Sequence, residues 1–293
     1  VPMKKTILVP VGFLLPLLPA LAAADVTLAP VTVTDTADPH GTHLTPFGDG
    51  SPRTTPATLT DIDHTQLDQQ QTRNLAELTR ADAALGDNYA PVGYYQNLAV
   101  RGLPLDLASG YRMNGLLRVG EQRLAYENVA QVEVLKGLAG MSAGVLEPAG
   151  LVNLVSKRPT EVTTLTLAGD REGTALGALD AGHWLTPALG VRVNLARERL
   201  GSYVDHADGA RNFLALAADW LASDTTTLTF DADYQASSQR SVSGYQLLGA
   251  GALPSHVDRQ MMLGYQAWQQ PVDMASFNTG LHPNHDFNDT WHL

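Results

Sequence analysis

The chain has 293 residues, 44% of them hydrophobic and 17% charged, and its mean hydropathy of -0.09 fits neither a bundle of membrane helices nor a disordered chain. A formal net charge of -11 argues against nucleic acid as a partner, because phosphate neutralisation needs clustered Lys and Arg. The absence of cysteine excludes a disulfide framework, a thiolate zinc site and a thiol nucleophile.

At the N-terminus Lys4 and Lys5 precede an uncharged run from Thr6 to Ala24 that closes in Ala20-Leu21-Ala22-Ala23-Ala24. Basic residues, an apolar core and small residues are the three parts of a secretory signal peptide. Pro10, Gly12, Pro16 and Pro19 argue against the alternative, a membrane-spanning helix. Residues 1–24 are therefore expected to be a signal peptide cleaved after Ala22 or Ala24. Residues 25–50 are rich in Pro, Gly, Thr and Asp. They hold one β-prone patch, Thr27-Leu28-Ala29-Pro30-Val31-Thr32-Val33, suited to recognition by strand addition; the alternative is a disordered leader.

From Thr54 a short β-prone piece turns helical. Asn74 is placed to cap, Glu77 to answer it, and Leu75, Leu78, Ala81 and Leu85 make an apolar stripe that ends at Gly86. Residues 87–96 gather Tyr89, Tyr94 and Tyr95, whose flat amphipathic rings suit a polar ligand or plain packing. Leu98–Gly102 and Tyr111–Gly115 follow; Asn114-Gly115 is a hairpin-turn signal. Arg118, Glu121, Gln122 and Arg123 make a polar segment that is either a second ligand-facing loop or simply solvated.

Residues 128–159 read NVAQVEVLKGLAGMSAGVLEPAGLVNLVSKRP. Val129–Lys136 and Leu151–Ser156 alternate in the manner of half-buried strands, around a centre of Gly137, Gly140, Gly144, Pro148 and Gly150. The glycines do not give G-x-G-x-x-G, so a nucleotide-cradling loop is disfavoured.

Beyond Pro159, segments near 162–169, 174–184, 189–199, 210–221 and 225–236 each run about ten residues between polar breaks, the length of a tilted membrane-crossing strand. In the last, Leu228, Phe230, Ala232, Tyr234 and Ala236 share one face, suited to lipid. Thr227, Thr229, Asp231, Asp233 and Gln235 share the other, suited to a wet lumen. Leu214, Leu216, Ala218 and Trp220 share a face, and Trp184 and Trp220 fall beside short turns, where aromatic girdles belong. A soluble β-sandwich is the alternative. Residues 246–293 show little period; His282-Pro283-Asn284-His285 is read as a polar loop rather than a metal site.

The strand–turn–strand of VEVLKG, a glycine-rich turn with Glu-Pro, and GLVNLVSKRP resembles the plug signature of TonB-dependent outer-membrane receptors, in particular the siderophore receptors. Leu138, Ser142, Ala143 and Ala149 depart from the family pattern, all within the turn. The resemblance implies an α+β plug (a small mixed sheet with short helices) over residues 51–159, with Leu98–Gly102 and Tyr111–Gly115 as short strands of it, and the start of an antiparallel transmembrane β-barrel over residues 160–293. With five or six of roughly 22 strands, the chain is expected to be a fragment.

The resemblance further implies import of a ferric siderophore across the outer membrane of a Gram-negative-type cell, energised by TonB of the inner membrane, with outer-membrane lipid as surroundings. Iron would arrive inside its chelator, so no cofactor and no protein metal ligand are expected. Thr27, Leu28, Val31, Thr32 and Val33 would form the TonB box. Tyr89, Tyr94, Tyr95, Arg118, Glu121, Gln122 and Arg123 are the ligand candidates. Arg101, Gly102, Asn114, Gly115, Glu133, Lys136, Gly137, Lys157 and Arg158 would be structural in the plug, Arg101 within a charge network at the barrel wall. Another cargo (haem, cobalamin, an oligosaccharide) and a non-transporting plug remnant are the alternatives. An enzyme is not expected, since no triad, paired acid site or cofactor loop is evident and the plug has no histidine between His64 and His183.

Overall fold

The computed structural model describes residues 57–89, 93–137, 147–244, 251 and 256–288. The expected signal peptide, the candidate TonB box and the turn departures Leu138, Ser142 and Ala143 lie outside them.

Two sheets and a helical layer form the first part. β1 (Thr58–Asp63), α1 (His64–Gln69), a 3₁₀ turn (Leu75–Arg80), β2 (Leu85–Tyr89), β3 (Asn97–Val100), β4 (Leu103–Pro104), β5 (Tyr111–Met113), β6 (Leu116–Leu117), β7 (Val129–Lys136) and β8 (Gly150–Ser156) follow in order. The mixed sheet runs β1-β7-β8-β5-β6, with only β5 and β8 parallel, and β2-β3-β4 form a meander beside it.

The helical stripe is broken up. Asp63 caps α1 by accepting from the Gln66 N–H at 2.7 Å, and Asn74 caps the 3₁₀ turn by accepting from the Glu77 N–H at 3.2 Å. The Glu77 carboxylate answers the N–H of Arg73 rather than that of Asn74, and Leu85 and Gly86 belong to a strand. Leu75 and Leu78 are nonetheless buried as the stripe requires.

β7 is buried on both faces rather than one. Val132 and Val134 join Ile62, Leu67, Leu98, Val100, Tyr111 and Leu154 in the main core, each large apolar side chain contributing roughly 1.5–3 kcal/mol. On the other face Glu133 is fully buried and accepts from Asn153 Nδ2 at 2.9 Å, which explains why the alternation looked half-exposed. The Tyr111 hydroxyl, also in the core, donates to Asn97 Oδ1 at 2.7 Å and accepts from the Leu98 N–H at 3.1 Å. Gly150 has φ +115, and a Cβ there would lie 2.0 Å from the Leu135 carbonyl oxygen, so the β7–β8 return requires glycine.

The second part is one antiparallel sheet of β9 (Val162–Gly169), β10 (Ala175–Thr186), β11 (Leu189–Leu200), β12 (Gly209–Ser223), β13 (Thr226–Gln239) and β14 (Val272–His285), paired in sequence order. Register carries one apolar row across all six strands: Leu165, Leu179, Leu195, Leu214, Tyr234 and Phe277. All but half-buried Leu179 are exposed on the outer face. Connections are short where β10 meets β11 and β12 meets β13, the end that carries Trp184 and Trp220. They are long at 201–208 and 240–271, at the opposite end.

β14 corrects the reading of His282 and His285 as loop residues. Both lie in this strand, His285 Nδ1 is hydrogen-bonded to Thr226 Oγ1 at 2.8 Å, and Pro283 pairs with Leu228. Of the described strands, β14 stands at one margin of the sheet, where a missing N–H is tolerated. No helix among the described residues is long and apolar enough to cross a membrane.

Candidate functional site

The first part sits on the inner face of the second, and polar side chains hold the contact. As β8 ends, Ser156, Lys157 and Arg158 run along the wall. Lys157 Nζ donates to Asp180 Oδ2 at 2.9 Å, and Arg192 of the wall grips the same carboxylate with two bonds of 2.8 Å. Arg158 pairs with Asp219 through Nε at 3.1 Å and with Asp231 through Nη1 at 2.8 Å. Asp231 also accepts from Ser156 Oγ at 2.7 Å and Asn114 Nδ2 at 3.0 Å.

Two residues further along β13, Arg118 meets Asp233 with two bonds of 3.0 and 2.9 Å, and both side chains are almost fully buried. The inner face of β13 is thus filled by the plug rather than open to water. Nearer the long-loop end, Arg211 of β12 donates to Glu198 at 2.8 Å and bridges to Glu127 of the plug. Burial by itself would raise the Glu127 pKa, but the charge and hydrogen bonds of Arg211 outweigh it and hold the carboxyl below its usual range.

At the long-loop end the two parts leave a cleft of about 790 Å³, lined among others by Arg73, Tyr94, Gln96 and Arg123 from the plug and Asp170 and Tyr203 from the wall. The Tyr94 and Tyr95 rings pack with centroids 4.6 Å apart. Gly93 seats this tyrosine loop: its φ is +81, and a Cβ would lie 2.2 Å from the carbonyl oxygen of Arg240. Above, the 201–208 connection docks on residues 256–271 through a face-to-face stack of His206 and Tyr265 at 4.1 Å and a small core of Val204, Ala207 and Met262. Burial pulls the Arg123 pKa down, with Arg211 adding to the effect, and its Nε has no hydrogen-bond partner.

The sequence-derived candidates divide accordingly. Tyr94 and Arg123 line the cleft, Tyr95 packs on Tyr94, Glu121 is exposed, and the Tyr89 side chain lies outside the described residues. Arg118 and Gln122 are not ligand-facing: both are buried, Arg118 on Asp233 and Gln122 donating to the Val119 carbonyl at 2.6 Å. The polarity of Arg118 serves the plug–wall contact and that of Gln122 its own loop, both of which compete for the same residue types as a ligand loop.

Arg101 is also corrected. It sits exposed at φ 54 in the β3–β4 turn with Gly102, while Arg118, Lys157 and Arg158 make the ion pairs to the wall. Asn114 and Gly115 form the β5–β6 turn, Lys136 pairs with Asp82, and Gly137 takes a left-handed turn at φ 85. The acidic partners Asp180, Asp219 and Glu198 went unread. Their signal was an acid on the inward phase of successive strands. Among the described residues no group of three or more His, Cys, Asp or Glu is disposed to hold a metal.

A mixed sheet with short helices, seated against the inner face of an antiparallel wall that carries an apolar row on its outer face, defines the class: a plug domain with the first strands of a β-barrel wall. Residues 51–151 match the family described as TonB-dependent Receptor Plug Domain, and the wall strands follow that match in the chain.

The chain is 27% identical over 140 residues to the ferric-pyoverdine BN7/BN8 receptor of Pseudomonas putida, covering 42% of this chain and 16% of that one. It is 28% identical over 173 residues to the metal-pseudopaline receptor CntO of Pseudomonas aeruginosa, covering 56% and 23%. It therefore spans less than a quarter of either relative's length. In three dimensions it is similar to BauA, the ferric preacinetobactin receptor of Acinetobacter baumannii, with TM-score 0.73 at 20% identity over 85% of this chain and 38% of that one. It is also similar to the ferric-catecholate import receptor Fiu of E. coli K12 in its open form, with TM-score 0.67 at 20% identity over 80% and 37%.

Proposed function

We propose that the protein to which this chain belongs imports a ferric siderophore through the outer membrane, energised by TonB, and is not an enzyme. The observation that carries this is the plug–wall contact: Arg118, Lys157 and Arg158 of the plug end on Asp180, Asp219, Asp231 and Asp233 of the wall. A contact made of ion pairs and hydrogen bonds can be parted and remade, because water replaces each lost partner, whereas parting an apolar core exposes surface that water does not compensate.

Residues 1–24 serve as a cleaved signal peptide in this reading. The patch Thr27, Leu28, Val31, Thr32, Val33 adds as a strand to TonB, whose pull strains the contact from the short-turn end. The apolar row Leu165 to Phe277 faces lipid. Cargo settles first in the cleft at the long-loop end, where Tyr94 and Tyr95 offer rings and Arg123 a charge. Iron travels inside the chelator, so the protein supplies no metal ligand and no cofactor. Among the described residues lining the cleft there is no histidine, which makes haem, commonly gripped through an axial His, the poorer cargo.

The test is uptake of radioactive iron, supplied on the chelators of the source cell's iron-starved medium, by cells with and without the intact gene and with and without TonB. Uptake that needs both is expected; equal uptake in cells lacking the gene would sink the reading.

A further inference from the structure

The outer face of the wall is not apolar throughout. Toward the long-loop end, the register row next to Leu195 and Leu214 reads Leu167, Gly177, Arg197, Asn212, Ala236 and Ala275 across the six strands. Side chains alternate along a strand, so Arg197 and Asn212 share the outward face with Leu195 and Leu214, and both are exposed. They stand directly opposite each other in the β11–β12 ladder. Arg199 follows on the same face of β11, also exposed.

The protein gives these groups little to hold. Among the described residues the Arg197 guanidinium and the Asn212 amide make no hydrogen bond or ion pair. Arg199 meets Asp208 at 3.1 Å, but both side chains are more than half exposed and water weakens such a pair. Asp273, the other outward acid of the strands at this end, is reached from Arg199 through Ala210 and Ser238, three strand spacings or about 14 Å away. In the β9–β10 turn Arg171 is held by Glu172, and Asp170 accepts from the Thr174 N–H at 2.9 Å. Arg197 is left without a countercharge.

Height on the wall decides what can supply one. Leu189 pairs with Trp220 at the short-turn end, and Arg197 lies eight residues further along β11, a climb of about 20 Å for a tilted barrel strand. A membrane barrel presents an apolar band about 25 Å tall, edged by aromatic girdles. Arg197 therefore falls just inside the outer edge of the band, where a long side chain reaches the polar layer with its charge, and Arg199 falls at the edge itself. A guanidinium left facing hydrocarbon destabilises the wall, whereas its fork matches a phosphate through two parallel bonds. The Asn212 amide can donate a third. On the other side Gly177 leaves room, since a Cβ there would meet only the Leu167 side chain, at 3.8 Å.

We propose that Arg197 and Asn212, with Arg199 above them, form a seat for the phosphate of an outer-leaflet lipid headgroup. The seat rests on the reading that the outward row faces lipid. It lies on the opposite face of β11 from Glu198, which lines the cleft, so it is separate from the cargo site.

The test uses the receptor expressed from its intact gene, stripped of lipid in a neutral detergent, with native mass spectrometry to count what rebinds. The probes are an acylated diglucosamine lipid carrying phosphates, the same lipid without phosphate, and inorganic phosphate. The phosphorylated lipid should bind about ten-fold more tightly than its stripped form, and Arg197→Gln should lose about that factor. Asn212→Leu should lose a smaller part, while Arg171→Gln, an exposed arginine on the turn of the same end, should stay within about two-fold of the unaltered receptor. Unchanged heat-modifiable mobility shows that each variant has assembled.

Equal binding of the two lipids, an Arg197→Gln receptor that binds as well as the unaltered one, or an equal loss in Arg171→Gln would each reject the seat. Displacement of the lipid by inorganic phosphate at equal concentration would make it a free-phosphate site and reject the lipid. The lipid-facing reading is tested apart, by folding Leu214→Arg in vesicles and in detergent. A defect confined to vesicles, with no loss of lipid in Arg197→Gln, keeps the lipid-facing row and rejects the seat. Equal folding in both, with lipid still held through Arg197, keeps a phosphate site and rejects the row.

Discussion

Arg118 of the plug and Asp233 of the wall are joined by two parallel hydrogen bonds of 3.0 and 2.9 Å, with both side chains at most 5% exposed. A bidentate pair fixes direction as well as distance, so it sets the seat of the plug on β13. Arg118→Met leaves Asp233 buried with Asn278 as its remaining described side-chain partner. The expected loss is about 3–5 kcal/mol, measured as a lower denaturant midpoint for plug release. Adding Asp233→Asn should recover part of that loss, since the pair's net contribution is smaller than the cost of breaking it; an additive double variant would show that the two residues do not act as a pair.

Gly150 and Gly102 both have positive φ, at +115 and +81, but differ in surroundings. Alanine at 102 meets nothing within 4 Å and should cost only backbone strain, about 1 kcal/mol. At 150 its Cβ would press on the Leu135 carbonyl, so Gly150→Ala should cost roughly 3 kcal/mol or more and sharply reduce assembled receptor. Heat-modifiable mobility in electrophoresis reports assembly for both variants.

Asp82 gives the plug an acid-sensitive fastening. Burial would raise its pKa, but hydrogen bonds from Lys136, Thr60 and the Ala84 N–H outweigh that and lower it below the ordinary value of 3.8. A carboxyl depressed in the folded state stabilises above its unfolded pKa and loses that contribution as pH falls through the folded one. The contribution of Asp82 should therefore be constant from pH 7 to about 5 and decline below about 4. Asp82→Asn should be less stable at neutral pH and should shed this part of the acid dependence. Parallel pH curves for the two proteins would contradict the assignment.

If Thr27 to Val33 adds as a strand to TonB, proline at an inner position removes a ladder N–H and breaks the addition. Val31→Pro should abolish energised iron uptake while leaving chelate binding to isolated outer membranes within about two-fold. Loss of binding as well would place this patch in the ligand site or in folding instead.

Leu214 lies mid-strand in the outward apolar row between Leu195 and Tyr234. If the outward row faces lipid, Leu214→Arg should destabilise by about 2–4 kcal/mol, whereas Arg at inward Ala215, its neighbour, acts on the plug contact. Comparing the folding yield of the two in lipid vesicles and in detergent separates them, since only the first should depend on the bilayer.

Strand period and turn chemistry are local, and they were legible: β7, β8, the Asn114-Gly115 turn and five of the six wall strands follow from alternation and glycine placement. The inward and outward faces of β13 followed from the same rule, because side chains alternate whatever the strand packs against. β14 escaped, since small, polar and proline residues blur its alternation and only its pairing with β13 makes it a strand. α1 escaped because six residues are too few to show a helical period.

What no local rule could decide was partnership. Arg118, Gln122 and Arg123 read alike as a polar stretch, yet one is locked on Asp233 more than a hundred positions away, one is buried against its own loop, and one lines the cleft. A charged side chain looks the same in sequence whether its countercharge is water, ligand or another strand. Only the tertiary fold, by setting which carboxylates it meets and how dry the meeting place is, distinguishes the fastening of the plug from the grip on its cargo.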